Sequence, residues 1–284
     1  MIKQKNTPGQ LLGKGLFWFL VILILLYTLF PFYWAITSSL KTENQIIRPL
    51  NSVLPPNLNL QNFRAVFQNP GFTGALANSA FVSVSSVLVA LVVGSFAAYA
   101  LGRIQFRGRT VMLYLVLAMT IFPQISILSG LFAIVRDLGV FQSLSALVLT
   151  YPLLTLPFTA WTLTTFFRQL PGELEQAALV DGATPFQTFY MILLPLTAPA
   201  MVTTGLLAFI SAWNEYLFAL TFANFPDVRT VPVAIALFSG QVARQEPIAE
   251  IMAASVVVTI PLIALVLIFQ RRIVEGLTAG AVKG

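Results

Sequence analysis

Six stretches of this chain, near 16–36, 76–102, 111–134, 143–167, 197–223 and 248–270, are each apolar for long enough to cross a bilayer. About 20 residues at 1.5 Å of rise cover roughly 30 Å of hydrocarbon. Backbone at that depth finds no water and must pair its own polar groups. An all-α integral membrane protein is therefore expected, a single transmembrane domain over 1–284 with about six helices. Composition leaves no soluble alternative. Only 9% of residues are charged against 57% hydrophobic, whereas a soluble domain is about a quarter charged.

The same scarcity excludes several chemistries. The chain has no cysteine and no histidine, which removes disulfides, thiol nucleophiles, Cys/His metal sites and imidazole acid–base work. Its few acids are scattered, so a membrane enzyme lacks a catalytic constellation. A secondary transporter would need coupling carboxylates and shows inverted repeats; only Glu215 lies clearly inside a span, and no repeat is evident. No Gly-rich Lys-Ser/Thr phosphate loop is present, so any ATP must be handled by another polypeptide.

The +6 net charge reflects topology, because the basic residues sit at span ends. Placing both termini in the cytoplasm puts ten Lys/Arg inside and six outside, with Arg103, Arg107 and Arg109 the tightest cluster. That is the sense of the positive-inside rule. Lys3, Lys5 and Lys14 precede the run Leu16 to Ile36. The run is too long for a signal-peptide core and is followed by no small-x-small site, so a first membrane helix that stays in place is expected.

Local grammar refines the spans. Pro123, Pro152 and Pro157 predict kinks or breaks in the third and fourth. Gly94-x-x-x-Ala98 predicts close helix packing in the second. Pro55-Pro56 and several Asn residues in 38–72 suggest turns, with a short surface helix near Leu60 to Phe67.

The connector 171–195 is more specific. Pro171 opens a short helix with Glu173 and Glu175 in its first turn, where carboxylates favour the positive helix end. Gly182 stops it by taking a left-handed conformation. Thr184-Pro185-Phe186-Gln187 then reads as a capping box with proline at the first helical position, opening a second helix that runs to Pro195. Gln176, Ala177 and Ala178 give the first helix little bulk, so it could enter a partner's cleft, with Asp181 and Gly182 fixing the turn that aims it. An interfacial amphipathic connector is the plainer alternative.

Gln176-Ala-Ala-x-x-x-Gly182, followed after nine residues by Ile192-Leu-Leu-Pro195, resembles the coupling-loop signature of ABC import permeases. The spacing agrees throughout, but the glutamate usual in that family is Gln176 here, with Glu175 one residue earlier. Trp213-Asn-Glu-Tyr216, the run Ala97 to Arg109 and the tail Gly276 to Gly284 are similar to the maltose-type second permease subunit of carbohydrate importers. The resemblance implies a type I importer permease fold in the bacterial inner membrane and a homologous sister permease. It also implies two ATPase subunits that carry ATP and Mg, and an external solute-binding protein. It implies ATPase contacts at Glu175, Gln176, Ala177, Ala178, Asp181, Gly182, Ile192 and Pro195, where the usual glutamate's contact becomes a neutral hydrogen bond or shifts to Glu175. The cytoplasmic tail 271–284, through Gly276, Gly280 and Lys283, is implied to reach the ATPases. Carbohydrate is favoured over peptides, polyamines or anions; no cofactor is expected on this chain.

Inside the spans, an ionisable group is costly unless it faces protein or water. Glu215 is thus a candidate gate or pathway residue, or else a structural carboxyl bonded to its surroundings. Asn214 beside it, Gln124 at the Pro123 break with Ser126 and Ser129, and Asn78 with Ser79 and Ser83 are candidate pathway amides and hydroxyls, or else interhelical bonds. Phe158 and Trp161 could stack on a sugar ring or simply pack.

Overall fold

The computed structural model describes residues 8–47, 54, 57–238 and 247–279. Helices account for all the regular structure among them. They are α1 (Pro8–Ser39), α2 (Glu43–Ile47), α3 (Gln61–Gln68), α4 (Pro70–Arg103), α5 (Arg109–Met119), α6 (Gln124–Asp137), α7 (Leu144–Gln169) and α8 (Glu173–Val180). Then follow α9 (Pro185–Leu196), α10 (Ala198–Trp213), α11 (Leu217–Phe222), α12 (Val231–Phe238) and α13 (Ile248–Ala279). Four are long and apolar enough to span a membrane; six spans result if each bent pair, α5 with α6 and α9 with α10, counts as one.

Two compact units emerge. The first comprises residues 1–68 and 238–257. In it, the apolar residues of α1 from Leu16 to Phe30, Val21 apart, stay exposed, as suits a helix whose solvent is lipid. The end of α1 is pinned: Asn62 Nδ2 donates to the carbonyls of Ser39 and Lys41, both at 2.8 Å. Glu43 accepts from Ala249 N–H at 2.8 Å. The short helix expected near 60–67 is α3.

The second unit, 69–237 and 258–284, is organised by α4 against α7. The expected small-residue packing is present here. Gly94 lies so near α7 that a Cβ would stand 2.7 Å from Thr159 Cγ2. Gly94→Ala should therefore cost about 1–3 kcal/mol through overpacking. Gly74→Ala, on the same helix with nothing within 4 Å, should be neutral or stabilising by up to about 1 kcal/mol. Thermal unfolding of the purified variants separates the two.

Proline behaves differently in the two spans where breaks are expected. At Pro123 the helix does break: α5 and α6 meet at 97°, with Pro123 as the residue before α6. Across Pro152 and Pro157, however, α7 is continuous. Half of its apolar window is buried, and packing along its length holds a helix that two missing N–H groups alone would weaken. The expected single span 197–223 also needs correction. It is interrupted at Asn214–Tyr216, between α10 and α11, without any proline. Finally, α13 stays helical through Ala279, so the tail expected from 271 begins as helix and includes Gly276. Gly280 and Lys283 lie outside the described residues.

Candidate functional site

Two places in the second unit concentrate the sequence candidates. The first is the connector between α7 and α10. Helix α8 ends in a reciprocal pair of turn bonds: Ala183 N–H donates to Ala178 O at 2.9 Å, and Gly182 N–H to Leu179 O at 3.1 Å. This is the motif that glycine permits at a helix end, and Gly182 indeed has φ +80°. Thr184 then closes the expected capping box. Its Oγ1 accepts from Gln187 N–H at 3.2 Å, while Gln187 Oε1 accepts from Thr184 N–H at 2.8 Å.

Helix α9 widens into a π-turn over Phe189–Leu193, immediately before Pro195. The five-residue bonding there, with Leu194 N–H donating to Phe189 O, carries the chain past a residue that has no donor of its own. The turn also plants Phe189 and Leu193 in the core with Ala98, Leu163 and Phe167. The Phe189 ring centre lies 5.0 Å from that of Tyr99 and 5.1 Å from that of Phe96. The connector is therefore seated on α4 and α7.

What it presents outward is a mixture of polar, small and apolar groups. Gln176, Ala177, Asp181 and Gly182 are exposed, flanked by exposed Leu179, Val180 at 87%, Phe186 and Met191. Ala178 is buried and Ile192 half-buried, so these two belong to the seat; Pro195 is exposed at its end.

Glu175 is held from within the chain. Its Oε2 accepts from Arg103 Nη2 at 2.8 Å, and the same guanidinium donates to Leu170 O at 2.8 Å and Phe167 O at 3.3 Å. The carboxylate thus ties α8 to the end of α4, with its side chain 27% exposed. Arg103, read from sequence only as a topology charge, is the anchor that sequence reasoning missed. Arg109 and Arg168 also bond carbonyls at the end of α4, so the basic cluster ties three elements together.

The second place is a cavity of about 450 Å³ at the interruption between α10 and α11. Gln124, Asn214 and Glu215 all line it, together with Tyr151, Ser211 and Tyr216, which sequence reasoning did not single out. Tyr151 is a lone phenol in an apolar run, and that was its only signal. Asn78 is elsewhere. Its Nδ2 donates to Asp227 O and Arg229 O, both at 3.0 Å, and neighbouring Ser79 Oγ accepts from Val231 N–H. These groups clasp the segment before α12, which is the bonding alternative the sequence left open for Asn78 and Ser79.

Glu215 is 7% exposed. Its Oε1 accepts from Phe218 N–H at 2.8 Å and Oε2 from Ala219 N–H at 3.0 Å, so the carboxylate caps α11. Asn214 Nδ2 donates back to Ile210 O at 2.8 Å. Glu215→Ala leaves two buried donors without partners and should cost about 2 kcal/mol or more. Glu215→Gln, keeping one acceptor oxygen, should lose roughly half as much. Comparing thermal unfolding of the two variants checks this.

Residues 90–278 match the family described as binding-protein-dependent transport system inner membrane component. The chain is 42% identical to the trehalose transport system permease protein SugB of Mycobacterium tuberculosis, over 92% of this chain and 95% of that protein. It is also 42% identical to the trehalose/maltose transport system permease protein MalG of Thermococcus litoralis, over 93% and 94%. Among solved structures, it matches a chain of a bacterial ABC transporter involved in the import of the acidic polysaccharide alginate. The TM-score is 0.82 at 21% identity, covering 95% of this chain and 99% of that one.

Proposed function

We propose, because this chain belongs to the family of binding-protein-dependent transport system inner membrane components, that it is one permease subunit of an ATP-driven carbohydrate importer. It would pair with a homologous sister permease, two ATPase subunits that bind ATP and Mg, and an extracytoplasmic solute-binding protein. Both termini and the connector 171–195 would face the cytoplasm, in keeping with the bias of basic residues.

The observation that carries this reading is the α8–α9 connector. It is locked into the α4–α7 core through Phe189, Leu193 and Arg103, yet offers exposed small and apolar residues, Ala177, Leu179, Val180 and Phe186 among them. An element seated so firmly transmits a push to the spans. In the resulting cycle, ATP binding draws the two ATPases together around the connectors. The connectors move as rigid levers, the spans open outward to receive solute, and hydrolysis resets them. The permease makes and breaks no covalent bond. Carbohydrate cargo is supported by the two relatives at 42% identity, whose names specify trehalose or trehalose and maltose. Gln124, Asn214 and Glu215 would lie along the solute pathway at the cavity. Gln176, Ala177, Asp181 and Gly182 would form the ATPase contact, and the end of α13 from Gly276 would approach the same partners.

Uptake of labelled di- and oligosaccharides by proteoliposomes of the complete complex tests the function, with ATP hydrolysis recorded alongside. ATP-dependent uptake is expected; uptake by this chain without an ATPase partner would overturn the reading. Orientation has a clean test because the chain has no native cysteine. Gln176→Cys should react with a membrane-impermeant maleimide only when the cytoplasmic face is opened.

A further inference from the structure

Where α4 turns into α5, positive charge collects without acid to match it. No acidic residue occurs between Glu43 and Asp137. Arg109 and Arg168 both donate to Leu101 O, so their guanidinium groups stand together at the end of α4. Of Arg103, Arg107, Arg109 and Arg168, only Arg103 has a carboxylate partner, Glu175.

The same turn encloses a cavity of about 330 Å³, lined by Gln105, Phe106, Gly108, Arg109, Thr110 and Val111. Arg109 is fixed in its wall: Nε donates to Leu101 O and Nη2 to Gly102 O, both at 2.6 Å, which leaves Nη1. Gln105, Arg107 and Thr110 are exposed, and their side chains make no hydrogen bond or ion pair among the described residues. The donors at this turn are thus an amide, a hydroxyl and two guanidinium groups, a set suited to phosphate oxygens. Directly beside them the surface turns apolar, with Ile104, Phe106, Val111, Met112 and Leu115 all exposed.

We infer that this cavity holds the phosphate of an anionic phospholipid, whose acyl chains lie along the exposed apolar residues of α5. A soluble anion would use only the donors, whereas a phospholipid uses both halves of the surface. The lining holds no carboxylate to receive a choline or ethanolamine group, so the net negative headgroup is preferred to the zwitterionic one. Basic pockets at the membrane surface between transmembrane helices bind headgroups in this way. The site depends on α4 and α5 meeting the bilayer surface here and not on which solute is carried.

Native mass spectrometry of the complete purified complex provides the test. The probes are phosphatidylglycerol, phosphatidylcholine with the same acyl chains, and glycerol 3-phosphate. Wild type should bind phosphatidylglycerol about tenfold or more tightly than phosphatidylcholine. Glycerol 3-phosphate should not bind at the same concentrations. Arg107→Gln should lower the preference for phosphatidylglycerol about fivefold, the effect of one arginine near a charged lipid. Thr110→Ala, a smaller change at another exposed position, should also lower it and keeps the test open if the first variant fails to assemble. Arg136→Gln, which removes an exposed charge at the end of α6, should leave the preference unchanged. Equal affinity for the two lipids would overturn the inference, as would wild-type preference in both site variants. An equal loss in Arg136→Gln would mean diffuse charge attraction without a site. Glycerol 3-phosphate binding as tightly as the lipid would make this a soluble-anion site. Loss of the ATPases from Arg107→Gln with lipid preference intact would make it a protein contact. Each of these three results also rejects the lipid assignment.

Discussion

Replacing Ala177 with arginine should reduce uptake by the assembled complex at least a hundredfold without disturbing the fold of this chain. Ala177 is exposed on α8 and lies between Gln176 and buried Ala178, so its methyl group forms part of a surface flat enough for close docking. A long cationic side chain there cannot be absorbed by this subunit's own core, and thermal stability should remain within about 0.5 kcal/mol of wild type. At an ATPase interface the same side chain would hold the surfaces apart and desolvate a charge. A hundredfold loss corresponds to about 2.7 kcal/mol, well within what one misfitted, unpaired group costs in a tight contact. Uptake, nucleotide hydrolysis and co-purification of the ATPases are the measurements. Wild-type uptake with normal co-purification would remove this face of α8 from the coupling interface.

Removing the Arg103 side chain should act through the chain itself. In Arg103→Ala, Glu175 loses its ion pair, the Leu170 carbonyl loses its side-chain donor and the Phe167 carbonyl keeps only the Leu170 N–H, at a place where the two side chains are 11% and 27% exposed. Breaking a fully buried pair costs about 3–5 kcal/mol. Partial access to water lowers this to about 2–3 kcal/mol, visible as a drop of several degrees in the thermal midpoint. The functional consequence should be larger than the stability loss, since α8 would no longer be tied to the end of α4. Hydrolysis should persist while its stimulation by loaded binding protein is lost. Exchanging the charges, Arg103→Glu with Glu175→Arg, should restore less than half of the stability because the exchanged carboxylate cannot donate to the two carbonyls. Full restoration would mean that the ion pair alone matters. Unchanged stimulation in Arg103→Ala would show that α8 needs no tether.

The unequal effects of proline and of glutamate explain where sequence patterns ran out. Pro123 broke its span as expected, yet Pro152 and Pro157 did not, because α7 is packed against α4 along its length and an isolated stretch of chain carries no record of that support. The interruption at Asn214–Tyr216 has no proline to announce it; it is stabilised by Glu215 turning onto the N–H groups of the next helix. The same residue could equally have been a free carboxylate by spacing alone.

Local chemistry was legible for a physical reason. A capping box, a glycine with positive φ and an apolar run of membrane length are each decided by neighbouring residues along the chain, so Thr184, Gln187, Gly182 and the four unbroken apolar helices follow from the sequence itself. Pairings between residues far apart in the chain do not. That Arg103 holds Glu175 across 72 positions, that Asn78 is spent on the segment before α12, and that Gln124, Tyr151 and Glu215 share one cavity were decided only when packing brought α4, α7, α10 and α11 together.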